Sequence, residues 1–121
     1  MNTDIARARL VEERARLEDI RRALEDEAAD AGGELSSADQ HPADNGTDTF
    51  ERAKDLAILD RTQRQLADVA RALDRLDRGE YGMCEACGQP IGEARLAARP
   101  AARLCLRDQE LAEAEESAAA R

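Results

Sequence analysis

The chain has 121 residues, which is enough for one domain of ordinary size. Aromatic residues make up only 2% of it and charged residues 37%, so the composition argues against a thick core and favours long helices or a coiled coil. The formal net charge of −9 argues against direct binding to DNA, because basic residues supply most of the affinity for phosphates.

No apolar run approaches the roughly 20 residues that span a bilayer, and the N-terminus lacks the apolar region of a signal peptide. The three cysteines have the spacing of metal ligands, which suits a reducing compartment better than a disulfide scaffold does. These features predict a cytoplasmic protein with no membrane segment.

A first helix is predicted from Asp4 to about Asp30, where the chain has no glycine and no proline. Leu10, Leu17 and Leu24 repeat every seven residues along it. This narrow apolar stripe is typical of a helix that pairs with one other helix.

A polar segment follows, and it predicts a tip at about residues 31–47. Gly32-Gly33 is expected to end the first helix, and Asn45-Gly46 is a strong turn signal. Two interpretations stay open for this segment. It could be a solvated turn, or it could be a binding loop held by the two helices.

A second helix is predicted from Asp48 to about Arg78, with Glu51 in the capping-box position. A 3-4-3 spacing, typical of a coiled-coil seam, is formed by Leu66, Val69, Leu73 and Leu76. Two helices of similar length joined by a polar segment predict an antiparallel hairpin. The expected fold is therefore all-α: a two-helix coiled-coil hairpin (1–78) on a small zinc-finger base with a short C-terminal helix (79–121).

The expected zinc ligands are Cys84 and Cys87, spaced C-x-x-C, followed by Cys105 and Asp108, spaced C-x-x-D. The paired spacing is that of a two-knuckle structural zinc site. Three thiolates and one carboxylate should hold zinc more weakly than four thiolates, because thiolates are the softer ligands. The C-terminal helix is expected to run from Ala101 to about Ala119 and to carry the second pair.

Three alternatives stay open for this cluster. Asp108 could be an ordinary surface acid, which would leave three thiolates and a water. The site could be empty, with the cysteines merely buried, or an open coordination position could make the zinc catalytic. His41 lies at the far end of the predicted hairpin and is not expected to be a ligand.

Two segments around the cysteines, residues 79–91 and 95–105, and the tip segment 41–47 resemble the DksA/TraR family of bacterial transcription regulators. The resemblance implies a coiled-coil hairpin on a zinc-finger base. It also implies a non-enzymatic, monomeric regulator that binds RNA polymerase rather than DNA. In that family the hairpin enters the secondary channel of the polymerase, its tip approaches the active centre, and transcription initiation is modulated.

The family's tip motif, D-x-x-D-x-A, can be carried over position by position. Asp44 matches the second aspartate, whereas His41 and Gly46 replace the first aspartate and the alanine. We therefore expect the tip to lie near the polymerase active centre with an altered effect on initiation.

Basic positions of the family also carry over. Arg61 and Arg64 resemble residues that dock on the polymerase, and Arg99 resembles a residue of the site for the alarmone ppGpp. The other two basic positions of that site fall on Asp68 and Gln109, so we expect weak or absent dependence on ppGpp.

Two other functions stay open. The chain could be a coiled-coil and zinc-knuckle module for a different protein partner. Alternatively, acidic tip residues such as Asp44 and Asp48 could hold a magnesium ion in the polymerase and stimulate transcript cleavage.

Overall fold

The computed structural model describes residues 2–34 and 42–119, with side chains described for 2–29 and 49–119. Four helices follow in order: α1 (Thr3–Glu34), α2 (Pro42–Asp77), α3 (Glu93–Ala98) and α4 (Leu106–Ala119). Within these ranges there is no strand, only an isolated bridge between Met83 and Pro90. The predicted all-α class with two long paired helices is confirmed.

Capping hydrogen bonds are present at the start of α1 and at the end of α2. The Asn2 side chain accepts a hydrogen bond from the backbone N–H of Asp4 at 2.8 Å, as an N-cap residue does. At the end of α2, Gly79 adopts a φ of +72° and its N–H donates to Leu76 O, while Glu80 N–H donates to Arg75 O. This pair of bonds is a Schellman motif. It ends α2 at Asp77, within one residue of the predicted end at about Arg78.

The predicted tip of residues 31–47 is too long. Residues 31–34, including Gly32-Gly33, belong to α1, and α2 begins at Pro42 rather than at Asp48. Proline suits the first turn of a helix because its missing N–H would have no partner there, and one interior glycine costs a helix only about 1 kcal/mol. His41 lies outside the described residues, and of Asp44 and Gly46 only the helical backbone is described.

The described chain divides into two compact units, and the first comprises Met1–Arg14 and Ala67–Arg121. In this unit α1 buries Ala6 and Leu10, while α2 buries Val69, Ala72 and Leu76. Arg7 of α1 pairs with Asp77 of α2 at 2.9 Å, so the start of one helix lies beside the end of the other. The two helices are therefore antiparallel in this unit.

The second unit, Ala15–Leu66, contains the remaining parts of α1 and α2. Leu17 and Thr62 are buried here, with Thr62 only 2% exposed. Thr62 occupies the seam position between Leu59 and Leu66, and its hydroxyl donates to the backbone oxygen of Ile58 at 2.7 Å. A polar residue thus interrupts the apolar seam that the leucine spacing predicts.

The segment between the long helices and α4 differs from the prediction. Short helix α3 was not predicted, and the terminal helix begins at Leu106 rather than at Ala101. Side chains hold two carbonyls of this segment: Tyr81 Oη donates to Pro100 O at 2.8 Å, and Arg95 Nε donates to Leu104 O at 2.9 Å. With these carbonyls engaged, the residues before Leu106 form turns, and Cys105 precedes α4 instead of lying on it.

Over the described ranges, no helix is both long and apolar enough to cross a membrane.

Candidate metal centre

Four side chains near the end of the chain converge on one point. Cys84, Cys87, Cys105 and Asp108 each present one donor atom, and these four atoms lie within 4.8 Å of one another. Asp108 Oδ2 lies 3.1 Å from Cys84 Sγ and 3.3 Å from Cys105 Sγ, and the sulfur atoms of Cys87 and Cys105 are 3.9 Å apart. These are the four ligands that the spacing predicts.

The first knuckle is a tight turn closed by backbone bonds. Gly88 N–H donates to Cys84 O at 2.9 Å, and Cys84 N–H donates to Gln89 O at 2.8 Å. Gly82 and Gly88 have φ values of +92° and +75°, which residues with a Cβ rarely adopt. The turn brings Cys84 and Cys87 to the same side of the backbone.

The second knuckle ends at the start of α4. Cys105 directly precedes the helix, and its carbonyl accepts the N–H of Gln109 at 2.9 Å. Asp108 lies in the first turn of α4, where the positive end of the helix dipole favours a carboxylate. The helix start therefore places a thiol and a carboxylate together facing the first knuckle.

An apolar shell surrounds one side of the four donors. Cys84, Ile91 and Leu96 are buried, and Tyr81, Ala102 and Leu104 pack against them. Because Cys87 and Cys105 are only partly buried, the opposite side of the cluster faces solvent.

Hydrogen bonds within the cluster shift the acidities of its members. Burial opposes ionisation of the Cys84 thiol, but backbone hydrogen bonds from Cys105 and Cys87 outweigh it and lower the pKa of Cys84. A backbone bond from Gln89 lowers the pKa of Cys87, yet the Asp108 carboxylate, burial and the other thiols together raise it to about 11. Hydrogen bonds from the three thiols lower the pKa of Asp108, so the carboxylate stays ionised.

The donor set fits a zinc ion. A tetrahedron with zinc–sulfur arms of about 2.3 Å has edges of about 3.8 Å, and a carboxylate arm of about 2.0–2.2 Å shortens the edges that it shares. The Cys87–Cys105 sulfur separation of 3.9 Å is close to that edge, and the Asp108 oxygen lies 3.1 and 3.3 Å from two sulfurs, shorter than the roughly 3.6 Å of a regular edge. No two of the four donor atoms are more than 4.8 Å apart. When bound, zinc would supply a closed structural cross-link between the two knuckles.

A group of ion pairs joins the zinc finger to α2. Glu85, between the first two cysteines, accepts a hydrogen bond from Arg71 Nε, and its carboxylate lies 3.6 Å from Arg75 Nη1 and 4.0 Å from Arg103 Nη1. Arg103 also pairs with Asp68 at 3.3 Å. We call these five residues the ionic junction. The sequence patterns do not predict this junction, and its one visible signal is the acidic residue inside the C-x-x-C turn.

The remaining predicted site residues do not belong to this cluster. Arg61 and Arg64 are exposed on α2, and Arg64 pairs with Asp60 at 2.6 Å. Arg99 is exposed at the C-cap of α3. Gln109, which the family resemblance aligns with a basic position, donates through Nε2 to Glu113 Oε1 at 3.0 Å.

Comparison with known proteins identifies the same region. Residues 79–114 match the prokaryotic DksA/TraR C4-type zinc finger, although the fourth ligand position here is Asp108. The uncharacterized protein YteA of Bacillus subtilis is 41% identical over 60% of this chain and 30% of its own length. The RNA polymerase-binding transcription factor DksA of Caulobacter vibrioides is 41% identical over 56% of this chain and 48% of its own length.

The chain therefore spans about half, or less, of the length of these two curated relatives. A solved structure, that of transcription factor DksA2 from Pseudomonas aeruginosa, matches more fully. The match covers 95% of this chain and 85% of the DksA2 chain, with a TM-score of 0.72 and 33% identity. The zinc-finger family match, together with 33% identity over 85% of the DksA2 structure, shows that the chain belongs to the DksA/TraR family.

Proposed function

We propose that this chain is a transcription regulator that binds RNA polymerase through its secondary channel and modulates initiation. The observation that carries this proposal is the likeness to transcription factor DksA2 over 95% of the chain. It is supported by the curated relatives whose names describe RNA polymerase-binding transcription factors, such as the DksA of Caulobacter vibrioides.

In this proposal the zinc site is structural. Cys84, Cys87, Cys105 and Asp108 hold the ion, and the ion fixes the two knuckles beside the base of α2. Because such a site does not exist in the unfolded chain, its metal-binding free energy contributes directly to folding. The metal thereby stabilises the unit that contains the start of α1, the end of α2 and the zinc finger.

The polymerase contacts are assigned to the hairpin. Asp44 acts at the polymerase active centre, with His41 and Gly46 modifying its effect. Arg61 and Arg64 dock on the polymerase. Since Arg64 already pairs with Asp60, docking through Arg64 would have to displace that pair, so Arg61 is expected to contribute more.

The remaining features of the proposal follow from charge and from the family. With a net charge of −9, the chain acts without contacting DNA directly. It works as a cytoplasmic monomer and not as an enzyme. An acidic surface is suited to a basic face of a protein partner.

The test is retention of core RNA polymerase by the immobilised zinc-loaded chain, followed by transcription assays with the same variants. We expect the unchanged chain to retain the polymerase, Arg61→Ala to weaken retention, and Asp44→Asn to preserve retention but remove the effect on open promoter complexes. Arg52→Ala, another exposed arginine of α2, is the matched control. The proposal fails if no polymerase is retained and transcription is unaffected by either variant, and the chain would then serve a different protein partner.

A further inference from the structure

The ionic junction connects three separate elements through one side chain. The carboxylate of Glu85 contacts Arg71 and Arg75 of α2 and also Arg103 of the second knuckle. Its side chain is only 16% exposed, although glutamate is normally a surface residue. A carboxylate withdrawn from water in this way needs several cationic partners, and the junction supplies three.

The backbone of Glu85 strengthens the same connection. Glu85 N–H donates to Arg103 O at 2.9 Å, which links the two zinc knuckles directly. Cys84, the most buried ligand, immediately precedes it. The position of the Glu85 carboxylate is therefore fixed by the turn that presents the first two thiols.

On α2 the junction residues follow helical spacing. Asp68, Arg71 and Arg75 lie at i, i+3 and i+7, so they share one face of the helix. Arg75 also donates to the backbone oxygens of Glu80 and Met83, at 3.1 and 2.9 Å. One face of α2 thus contacts both the turn at Glu80–Met83 and the first knuckle at Glu85.

We propose that Glu85 is a positioning residue that couples zinc binding to α2. When zinc closes the Cys84–Cys87 turn, the Glu85 carboxylate is presented to Arg71 and Arg75, and the free energy of those contacts adds to the apparent zinc affinity. Conversely, α2 stabilises the turn in the conformation that holds the metal. This coupling involves only the zinc site and α2, so it stands whichever protein is the partner.

The first experiment measures zinc affinity of the full chain by competition with a chromophoric chelator. Glu85→Gln keeps the size of the side chain and removes its charge, and we expect zinc affinity about tenfold weaker, the scale of one charge-assisted hydrogen bond at a partly exposed site. Glu116→Gln removes the same charge from the exposed end of α4 and should leave the affinity unchanged. Equal affinities for these two variants would overturn the proposal.

A double-mutant cycle separates coupling from a general loss of stability. Arg71→Gln alone should weaken zinc binding. The double variant, Arg71→Gln with Glu85→Gln, should weaken zinc binding in total by less than the product of the two single effects. Strictly multiplicative effects would show that the two residues act independently and would contradict the coupling.

Salt provides a readout that a merely structural role for Glu85 would not change. Between about 0.1 M and about 1 M salt the Debye length falls from about 10 to about 3 Å, so partly exposed ion pairs weaken. The unchanged chain should lose zinc affinity over this range more steeply than Glu85→Gln. Helix content measured on the same zinc-loaded samples verifies folding, and identical salt slopes in folded samples would reject the proposal.

Discussion

Arg103 of the second knuckle and Asp68 of α2 form an ion pair, with Nε and Oδ1 separated by 3.3 Å. Asp68 stands where the family resemblance places a basic residue that contacts ppGpp. Here that position carries the opposite charge, and its carboxylate is already paired within the chain. The resemblance aligns a second basic residue of that site with Gln109, which is uncharged and bonds to Glu113.

The first prediction is therefore that ppGpp does not change the activity of this chain. Loss of two charge-assisted contacts, at roughly 1.5–3 kcal/mol each, should weaken binding of a polyanion more than a hundredfold. The change in transcription is measured while ppGpp is titrated into the chain–polymerase complex and, for comparison, into polymerase alone. Asp68→Arg with Gln109→Lys is the restoring variant, and binding of ppGpp to the unchanged chain through Arg99 would refute the prediction.

The second prediction concerns the carboxylate ligand. Asp108→Cys should bind zinc at least tenfold more tightly than the unchanged chain, because a fourth thiolate is a softer ligand for zinc than a carboxylate. Asp108→Ala should bind about tenfold to a hundredfold more weakly. Zinc content per chain after dialysis against a chelator ranks the three proteins, with Asp55→Ala as the control. Full retention by Asp108→Ala would remove this residue from the ligand set.

The third prediction is a pH dependence of zinc binding. Because the pKa of Cys87 is raised to about 11, its thiol keeps its proton at neutral pH until zinc displaces it. The metal-free chain binds more protons than the zinc-bound chain, so affinity rises with pH, about tenfold per unit for each displaced proton. Zinc titrations from about pH 6.5 to 8.5 measure this slope.

Calorimetry in two buffers of different ionisation enthalpy counts the released protons directly. In Cys87→Ala, which retains the other two thiols, the slope should be smaller by one proton. An affinity independent of pH in the unchanged chain would contradict the prediction, as would equal slopes in the two proteins.

The fourth prediction addresses the seam of the hairpin. Thr62→Val keeps the branched shape and removes a buried hydroxyl that, among the described residues, donates to Ile58 O of its own helix. We expect the free energy of unfolding to rise by about 1 kcal/mol, since the apolar seam becomes continuous. Thermal unfolding of the zinc-loaded chain should shift upward by about 2–8 °C, and an exposed change such as Thr49→Val should shift it less. A lower midpoint for Thr62→Val would show that the hydroxyl stabilises the hairpin.

Periodicity and ligand spacing were sufficient to predict the paired helices and the four metal donors. Leu10 and Leu17 are buried as the seven-residue repeat requires, and Val69 and Leu76 are buried as the 3-4-3 spacing requires. The donor atoms of Cys84 and Asp108 meet despite their separation in sequence. These features depend on local patterns, which a single sequence displays. The stop of α2 at Gly79 was predictable for the same reason, because a positive φ there favours glycine.

The misplaced boundaries arose where a local signal carried little free energy or where a tertiary contact outweighed it. The turn signal at Asn45-Gly46 did not prevent the helix from starting at Pro42, because one glycine costs a helix little. The last helix does not begin at Ala101, since the hydroxyl of Tyr81, a distant residue, donates to the carbonyl of Pro100. The ionic junction was missed for the same reason: Glu85 meets Arg71 and Arg103 only after folding.

The pairing of Arg7 with Asp77 has a consequence for synthesis of the protein. As the chain leaves the ribosome, α1 emerges before α2, and Asp77 is made about 70 residues after Arg7, its partner in α1. The zinc ligands, in contrast, follow one another within a short segment and meet at little cost in loop closure. We therefore expect the metal knuckles to assemble late but rapidly, and Leu10 to stay exposed on the nascent chain until α2 arrives.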